Sequence, residues 1–91
     1  MTVQQTTAWP EGVIARYLTV GGATVDIAYT DDLHAVCQGE RCPWRESEYL
    51  EVFYTDSVEV RDQKIDNALP SAQRRAQAHA ETCRAMPKPT A

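Results

Sequence analysis

The sequence has few of the features that secreted and membrane proteins need. Its first residues contain no basic region followed by an apolar run, so we expect no secretory signal peptide. No apolar stretch approaches the length of a membrane span. Its three cysteines are an odd number, which does not suit a disulfide framework. We therefore expect a cytoplasmic protein with reduced thiols and no membrane partner.

Large apolar residues are also scarce. The chain has 91 residues and one Phe, and many of its apolar residues are Ala, so it can fill one small core. Domains with such small cores often need additional stabilisation, for example by disulfides or a bound metal ion. We expect a flexible arm over residues 1–12, one domain over 13–86 and a disordered tail over 87–91.

The stretch "VIARYLTVGGATVDIAYT" predicts a β-hairpin. Gly21-Gly22 forms a two-residue connection that tolerates the positive φ of a tight turn. Pairing outward from this turn predicts one apolar face, interrupted only by Arg16. The predicted partners are Val20 with Ala23, Leu18 with Val25, Arg16 with Ile27, and Ile14 with Tyr29.

Further elements follow from local composition. "LHAVC" (33–37) predicts a third strand, and "EYLEVFYT" (48–55) is rich in β-forming residues and predicts a fourth. Glu46, Tyr49, Leu50 and Phe53 would equally fit one face of a helix. Residues 57–69 fit either a short helix or an ordered loop. Pro70 and a Ser71 N-cap predict a helix from 71 to about 85. Its inward stripe is Ala72, Ala76, His79, Ala80 and Cys83. The fold class is therefore α+β: a hairpin plus one or two further antiparallel strands packed on a C-terminal helix.

Every cysteine falls into one pattern that predicts a zinc site. Cys37 and Cys42 flank a loop containing a glycine, and His79 and Cys83 are four residues apart on the predicted helix. Zinc prefers four nitrogen or sulfur ligands in a tetrahedron. The two pairs are separated by 36 residues, far more than in a two-Cys two-His finger that reads DNA. We therefore predict Zn²⁺ held by these four residues, with Trp44 as a lid.

Other interpretations of these residues are open. A histidine on an Ala-rich helix face is often a core residue, and buried free cysteines are common. His34 is a rival ligand, although on a strand it points away from Cys37. "HAE" at 79–81 matches the H-x-E of zinc deaminases, but no P-C-x-x-C follows it. Four protein ligands also close the shell that a catalytic zinc leaves open, so we expect no enzymatic activity.

In these residues, the sequence resembles a group of small, zinc-finger-like actinobacterial proteins from mobile elements and prophages. The resemblance rests on "VIARYLTVGGATVDI", the cysteine pair with its Trp, and "AQAHAETCRAMP". The group generally has a tighter C-x-x-C pair, so "CQGERC" is a departure. The resemblance implies a zinc-binding domain without a defined biochemical activity.

Charge suggests two kinds of partner. Residues 1–60 carry three basic and ten acidic residues, whereas residues 71–91 carry four basic residues and one acidic residue. The first hypothesis is DNA binding through the basic C-terminal segment, in a regulatory or accessory protein of a mobile element. Its residues are Arg74, Arg75, Arg84 and Lys88. The second is a basic protein partner that meets an acidic surface, or a partner or second copy of the chain that pairs with an exposed strand edge. That surface includes Glu46, Glu48, Glu51 and Asp56.

Overall fold

The computed structural model describes residues 9–10 and 12–88. They form a four-stranded antiparallel sheet, in the order β1-β2-β3-β4, with one long helix on one face. The strands are β1 (Val13–Leu18), β2 (Thr24–Tyr29), β3 (Leu33–Cys37) and β4 (Arg45–Glu48), and the helix is α1 (Val58–Ala80). The predicted α+β class is confirmed, and the hairpin is joined by two further strands.

The hairpin is confirmed, but its predicted register is wrong by one residue. Tyr17 lies opposite Val25 and Leu18 opposite Thr24. The chain turns over three residues because the Thr19 N–H donates to Ala23 O, and Ala23 N–H donates back to the Thr19 hydroxyl. A shift of one residue exchanges the two faces of a strand. Leu18 is consequently 74% exposed, while the β2 face is buried as predicted.

The fourth strand is shorter and lies earlier than predicted. β4 covers Arg45–Glu48, and the β-forming residues that follow it lie in a loop. Local turns take the chain away from the sheet, since Val52 N–H donates to Leu50 O and Asp56 N–H donates to Phe53 O. The Asp56 carboxylate also accepts from the Phe53 N–H. Turn chemistry of this kind outweighs β-propensity, which depends strongly on context.

The helix is longer than predicted and ends earlier. It starts after Ser57, whose hydroxyl accepts from the Val60 N–H, so the open segment 57–69 is mostly helix. Pro70 lies inside the helix and is exposed, and the predicted start at Ser71 is wrong. The last helical residue is Ala80, not a residue near 85. Packing of its buried residues against the sheet maintains the helix across a residue that normally breaks one.

Small side chains on the helix bring it close to the sheet. The buried helix residues are Ala68, Ala72, Ala76 and Ala80, in agreement with most of the predicted stripe. They pack against buried sheet residues in one core. The fully buried larger side chains are those of Val25, Ile27, Leu33 and Cys37. The core is therefore small, and Cys37, one of the four predicted metal ligands, belongs to it.

The ends of the chain lie mostly outside the described residues, so the predicted arm (1–12) and tail (87–91) stay predictions. Pro87 is described and forms an isolated antiparallel bridge with Gly39. Within residues 9–10 and 12–88, no helix is both long and apolar enough to cross a membrane.

Candidate metal centre

The structure brings Cys37, Cys42, His79 and Cys83 together, with all four ligand atoms within 4.8 Å of one another. The Sγ atom of Cys83 lies 3.8 Å from that of Cys37 and 3.7 Å from that of Cys42. His79 Nε2 lies 3.4 Å from Cys42 Sγ. These distances are too long for a disulfide, and all three cysteines are free. The predicted cluster therefore exists and could hold a metal ion.

The four side chains come from two parts of the fold. Cys37 is the last residue of β3, and Cys42 lies in the loop between β3 and β4. His79 is in the last turn of α1, whereas Cys83 lies beyond the helix end. Cys83 still keeps a helix-like spacing from His79, because its N–H donates to the His79 carbonyl at 2.9 Å. The cluster thus joins the sheet to the end of the helix.

Backbone N–H groups point at two of the sulfur atoms. The Gly39 N–H lies 3.4 Å from Cys37 Sγ, and the Trp44 N–H donates to Cys42. Each donor is two residues after its cysteine. Such bonds stabilise thiolate sulfur, which is the form that binds metals. The Trp44 N–H lowers the pKa of Cys42 below its usual value.

Burial has the opposite effect on Cys37. The Cys37 side chain belongs to the core, and burial raises the pKa of its thiol to about 11. A thiolate at this position requires a compensating positive charge. A bound metal cation supplies such a charge and deprotonates a coordinating thiol.

Trp44, the predicted lid, contacts one residue of the cluster with its side chain. Its ring stacks on the His79 imidazole, with ring centroids 4.6 Å apart and planes inclined by 11°. This contact limits rotation of the imidazole and directs Nε2 toward Cys42. Trp44 therefore contributes to the cluster twice, through its ring and through its backbone N–H.

The loop from Cys37 to Cys42 accommodates its four intervening residues by a tight turn. The Cys42 N–H donates to Gly39 O at 3.1 Å. Arg41 adopts a left-handed conformation with φ of 62°, which is unusual for a residue other than glycine. This turn brings the two sulfur atoms together despite a spacing wider than C-x-x-C.

The segment after the helix is held between two glycine-containing loops. The Val20 N–H donates to Ala80 O and the Gly21 N–H to Cys83 O. On the other side, the Glu40 N–H donates to Met86 O. The position of Cys83 therefore depends on the hairpin turn as well as on the helix.

Gly21 has a different role from the one expected of it. Of the two turn glycines, Gly22 alone has a positive φ, of 94°. Gly21 is required for space, because a Cβ there would lie 2.3 Å from Ala85 O and 2.4 Å from Arg84 O. The sequence gives no signal of this approach, since the contact joins residues more than sixty positions apart in the chain.

His34 is not part of the cluster. It lies next to Asp32, with Nδ1 3.5 Å from the carboxylate, and it alternates with the buried residues of β3. This agrees with the expectation that its side chain points away from Cys37.

The four predicted DNA-binding residues differ in their surroundings. Arg75 forms ion pairs with Glu46 and Glu48 of β4 and donates to the Ser71 hydroxyl. Its charge is therefore engaged in tying the helix to the edge strand. The other three, Arg74, Arg84 and Lys88, are exposed.

Comparison of the chain with family models, with curated proteins and with solved structures yields no match. The interpretation of the cluster therefore rests on its own geometry and chemistry.

Proposed function

We propose that the protein is a small, non-enzymatic binding module whose fold is stapled by a structural zinc ion. The ligands are Cys37, Cys42, His79 and Cys83. The observation that supports this best is the set of distances between the ligand atoms. A tetrahedron with Zn–S bonds of about 2.3 Å has sulfur–sulfur edges of about 3.8 Å. The two close sulfur pairs lie at 3.8 Å and 3.7 Å.

The donor set favours zinc over the other common metals. Three thiolates and an imidazole suit zinc, whereas calcium and magnesium prefer oxygen ligands. A shell with three Cys and one His is a frequent composition of structural zinc sites. Four protein ligands also complete the tetrahedron, and this supports a structural role rather than a catalytic one.

The placement of the ligands explains what zinc would contribute. Cys37 belongs to the sheet, and His79 and Cys83 belong to the end of the helix and the segment after it. A metal bound to all three constrains the two layers of a domain whose core depends largely on alanine. Binding energy at such a site is folding energy, because the unfolded chain does not present the ligands together.

The experiment is elemental analysis of purified protein combined with unfolding in a chelator. We expect about one zinc per chain, and loss of the cooperative thermal transition when zinc is removed. Cys83→Ser should reduce both zinc content and stability. His34→Ala is the matched control, because it removes an imidazole outside the cluster. Protein that contains no metal and keeps its fold in chelator would contradict the proposal.

A second proposal concerns DNA, in an accessory or regulatory protein of a mobile element. Arg74, Arg84 and Lys88 are exposed, and no carboxylate among the described residues forms an ion pair with them. The resemblance is the basis for proposing a role in a mobile element, and the composition is the basis for proposing a cytoplasmic location. The genes that neighbour this one in the source genome would test the mobile-element role.

The DNA test replaces Arg74 and Arg84 with Glu and leaves Arg75 in place. Reversal at Arg75 would set a third carboxylate beside Glu46 and Glu48 and disturb the fold itself. We expect weaker binding of duplex DNA and a shallower dependence of affinity on salt. Arg61→Glu, at the opposite end of the helix, is the control. Unchanged affinity in the double variant would reject this proposal.

A further inference from the structure

Residues 48–60, which we term the acidic-aromatic surface, expose an unusual concentration of large apolar side chains. Ten such side chains are exposed among the described residues, and five of them lie in this stretch of the connection to α1 and its first turn. Tyr54 is fully exposed and Tyr49 is 75% exposed. The other three are Phe53, Val58 and Val60. Single exposed apolar residues are normal, but a cluster indicates an interaction site.

Negative charge is concentrated in the same region. Residues 48–60 contain four acidic residues and no basic residue, a balance of −4, which equals the net charge of the whole chain. The remainder of the chain is thus close to neutral. Glu51 and Glu59 are exposed within this surface. Glu48 and Asp56 pair with Arg75 and Lys64, so Glu51 and Glu59 are the carboxylates of this surface without an ion pair among the described residues. A negative surface of this kind attracts cationic partners and repels anionic ones.

Specific contacts hold Phe53 and the turn around it in place. Lys64 lies over the Phe53 ring, 4.9 Å from its centroid, and pairs with the Asp56 carboxylate at 2.7 Å. Asp56 also accepts from the Phe53 N–H at 3.0 Å. Exposed apolar groups that are already ordered lose little entropy when a partner binds.

A shallow cleft of about 580 Å³ lies beside Tyr49, one of these exposed aromatic residues. It runs between the segment after β4 and the middle of α1, and its volume suits a few side chains of a bound segment. Glu48, Glu51 and Tyr49 line one side, and Lys64, Asn67 and Ala68 line the other.

We infer that the acidic-aromatic surface binds a Lys/Arg-rich segment of another protein that also carries apolar side chains. The charge excludes DNA and anionic lipid as occupants of this surface, because both would be repelled. A second copy of the chain would bring the same negative surface against itself. This inference is separate from the zinc site, whose ligands lie outside residues 48–60.

The experiment selects binders from a display library of random short peptides on the purified protein. We expect the recovered peptides to combine Lys or Arg with Leu, Phe or Trp, and their affinity to fall as salt is raised. Tyr49→Ser should weaken binding by about ten-fold, since exposed aromatic anchors dominate such contacts. Leu18→Ser is the matched control, because Leu18 is equally exposed at 74% but lies on β1.

A charge pair of variants tests the electrostatic part. Glu51→Lys should weaken binding by about five-fold, whereas Glu81→Lys, the same change one residue beyond the C-terminal end of α1, should have less than about a two-fold effect. Retained fold is checked by the amide NMR spectrum. Recovery of no peptides, recovery of acidic peptides, or equal losses in the test and control variants would overturn the inference. A dimer in light scattering that Tyr54→Ser dissociates would instead identify a second copy as the occupant.

Discussion

Replacement of Gly21 by alanine separates two explanations of the Gly21-Gly22 pair. The sequence suggests that both glycines serve a tight turn. The structure indicates that Gly22 provides the positive φ and that Gly21 provides space for the segment carrying Cys83. Gly22→Ala is therefore the natural control, since its Cβ would meet Pro87 only at an ordinary 3.8 Å.

The magnitude follows from the contacts. A Cβ on Gly21 would lie 2.3 Å from Ala85 O and 2.4 Å from Arg84 O, so the two segments must separate by about 1 Å. The bond from the Gly21 N–H to Cys83 O, now 3.0 Å long, would then be lost. Overpacking of about 1–3 kcal/mol and one or two lost hydrogen bonds of about 1 kcal/mol each give about 3 kcal/mol in total. Gly22→Ala should cost about 1–2 kcal/mol through backbone strain alone.

The assay is urea denaturation of both variants in the zinc-loaded state, together with zinc affinity measured by competition with a chromophoric chelator. Gly21→Ala should destabilise the protein more than Gly22→Ala, and only Gly21→Ala should reduce zinc affinity, because it displaces Cys83. A larger loss in Gly22→Ala, with zinc affinity unchanged in Gly21→Ala, would refute the reasoning.

Three further substitutions test other parts of the structure in urea denaturation. Arg41→Gly should raise the free energy of unfolding by about 0.5–1 kcal/mol, since it relieves a left-handed backbone conformation; a loss would contradict this. Pro70→Ala should raise it by about 1–3 kcal/mol, because it restores a donor inside α1, and a loss would show that the helix needs its proline. Asp26→Ala should lower it by about 2 kcal/mol, since Asp26 is buried and accepts two bonds from Arg16 at 2.8 Å and 2.9 Å. An unchanged free energy of unfolding in Asp26→Ala would mean that the Asp26–Arg16 pair makes no net contribution to stability.

The candidate metal cluster was predictable because its evidence is almost independent of the fold. All three cysteines fall into a single pattern, and the spacing from His79 to Cys83 places them together on a helix or on its direct continuation. This prediction holds although the helix ends at Ala80, because the Cys83 N–H still bonds to the His79 carbonyl.

The register of the hairpin could not be predicted from local sequence patterns. A Gly-Gly pair fits a two-residue turn, and the apolar residues of β1 alternate on both faces, so either register buries some of them. The structure uses Thr19 to close a three-residue turn and exposes Leu18. A long-range contact at Gly21, invisible in the local sequence, fixes the geometry of this turn.

The predicted helix boundaries were wrong for a similar reason. Pro70 is a strong local signal for a helix start, and Ser71 is a good N-cap. Tertiary packing outweighs both, since the buried alanines at 68 and 72 lie on either side of the proline and contact the sheet core. The actual cap, Ser57, is preceded by the turn that Asp56 stabilises.

X-ray absorption at the zinc edge tests the central claim most directly, on protein purified without added metal. We expect one zinc bound by three sulfur atoms at about 2.3 Å and one nitrogen at about 2.0 Å, with no oxygen ligand. In Cys83→Ser one sulfur should be missing from this shell. A zinc shell that contains water, fewer than three sulfur atoms, or no zinc at all would contradict a closed structural site formed by Cys37, Cys42, His79 and Cys83.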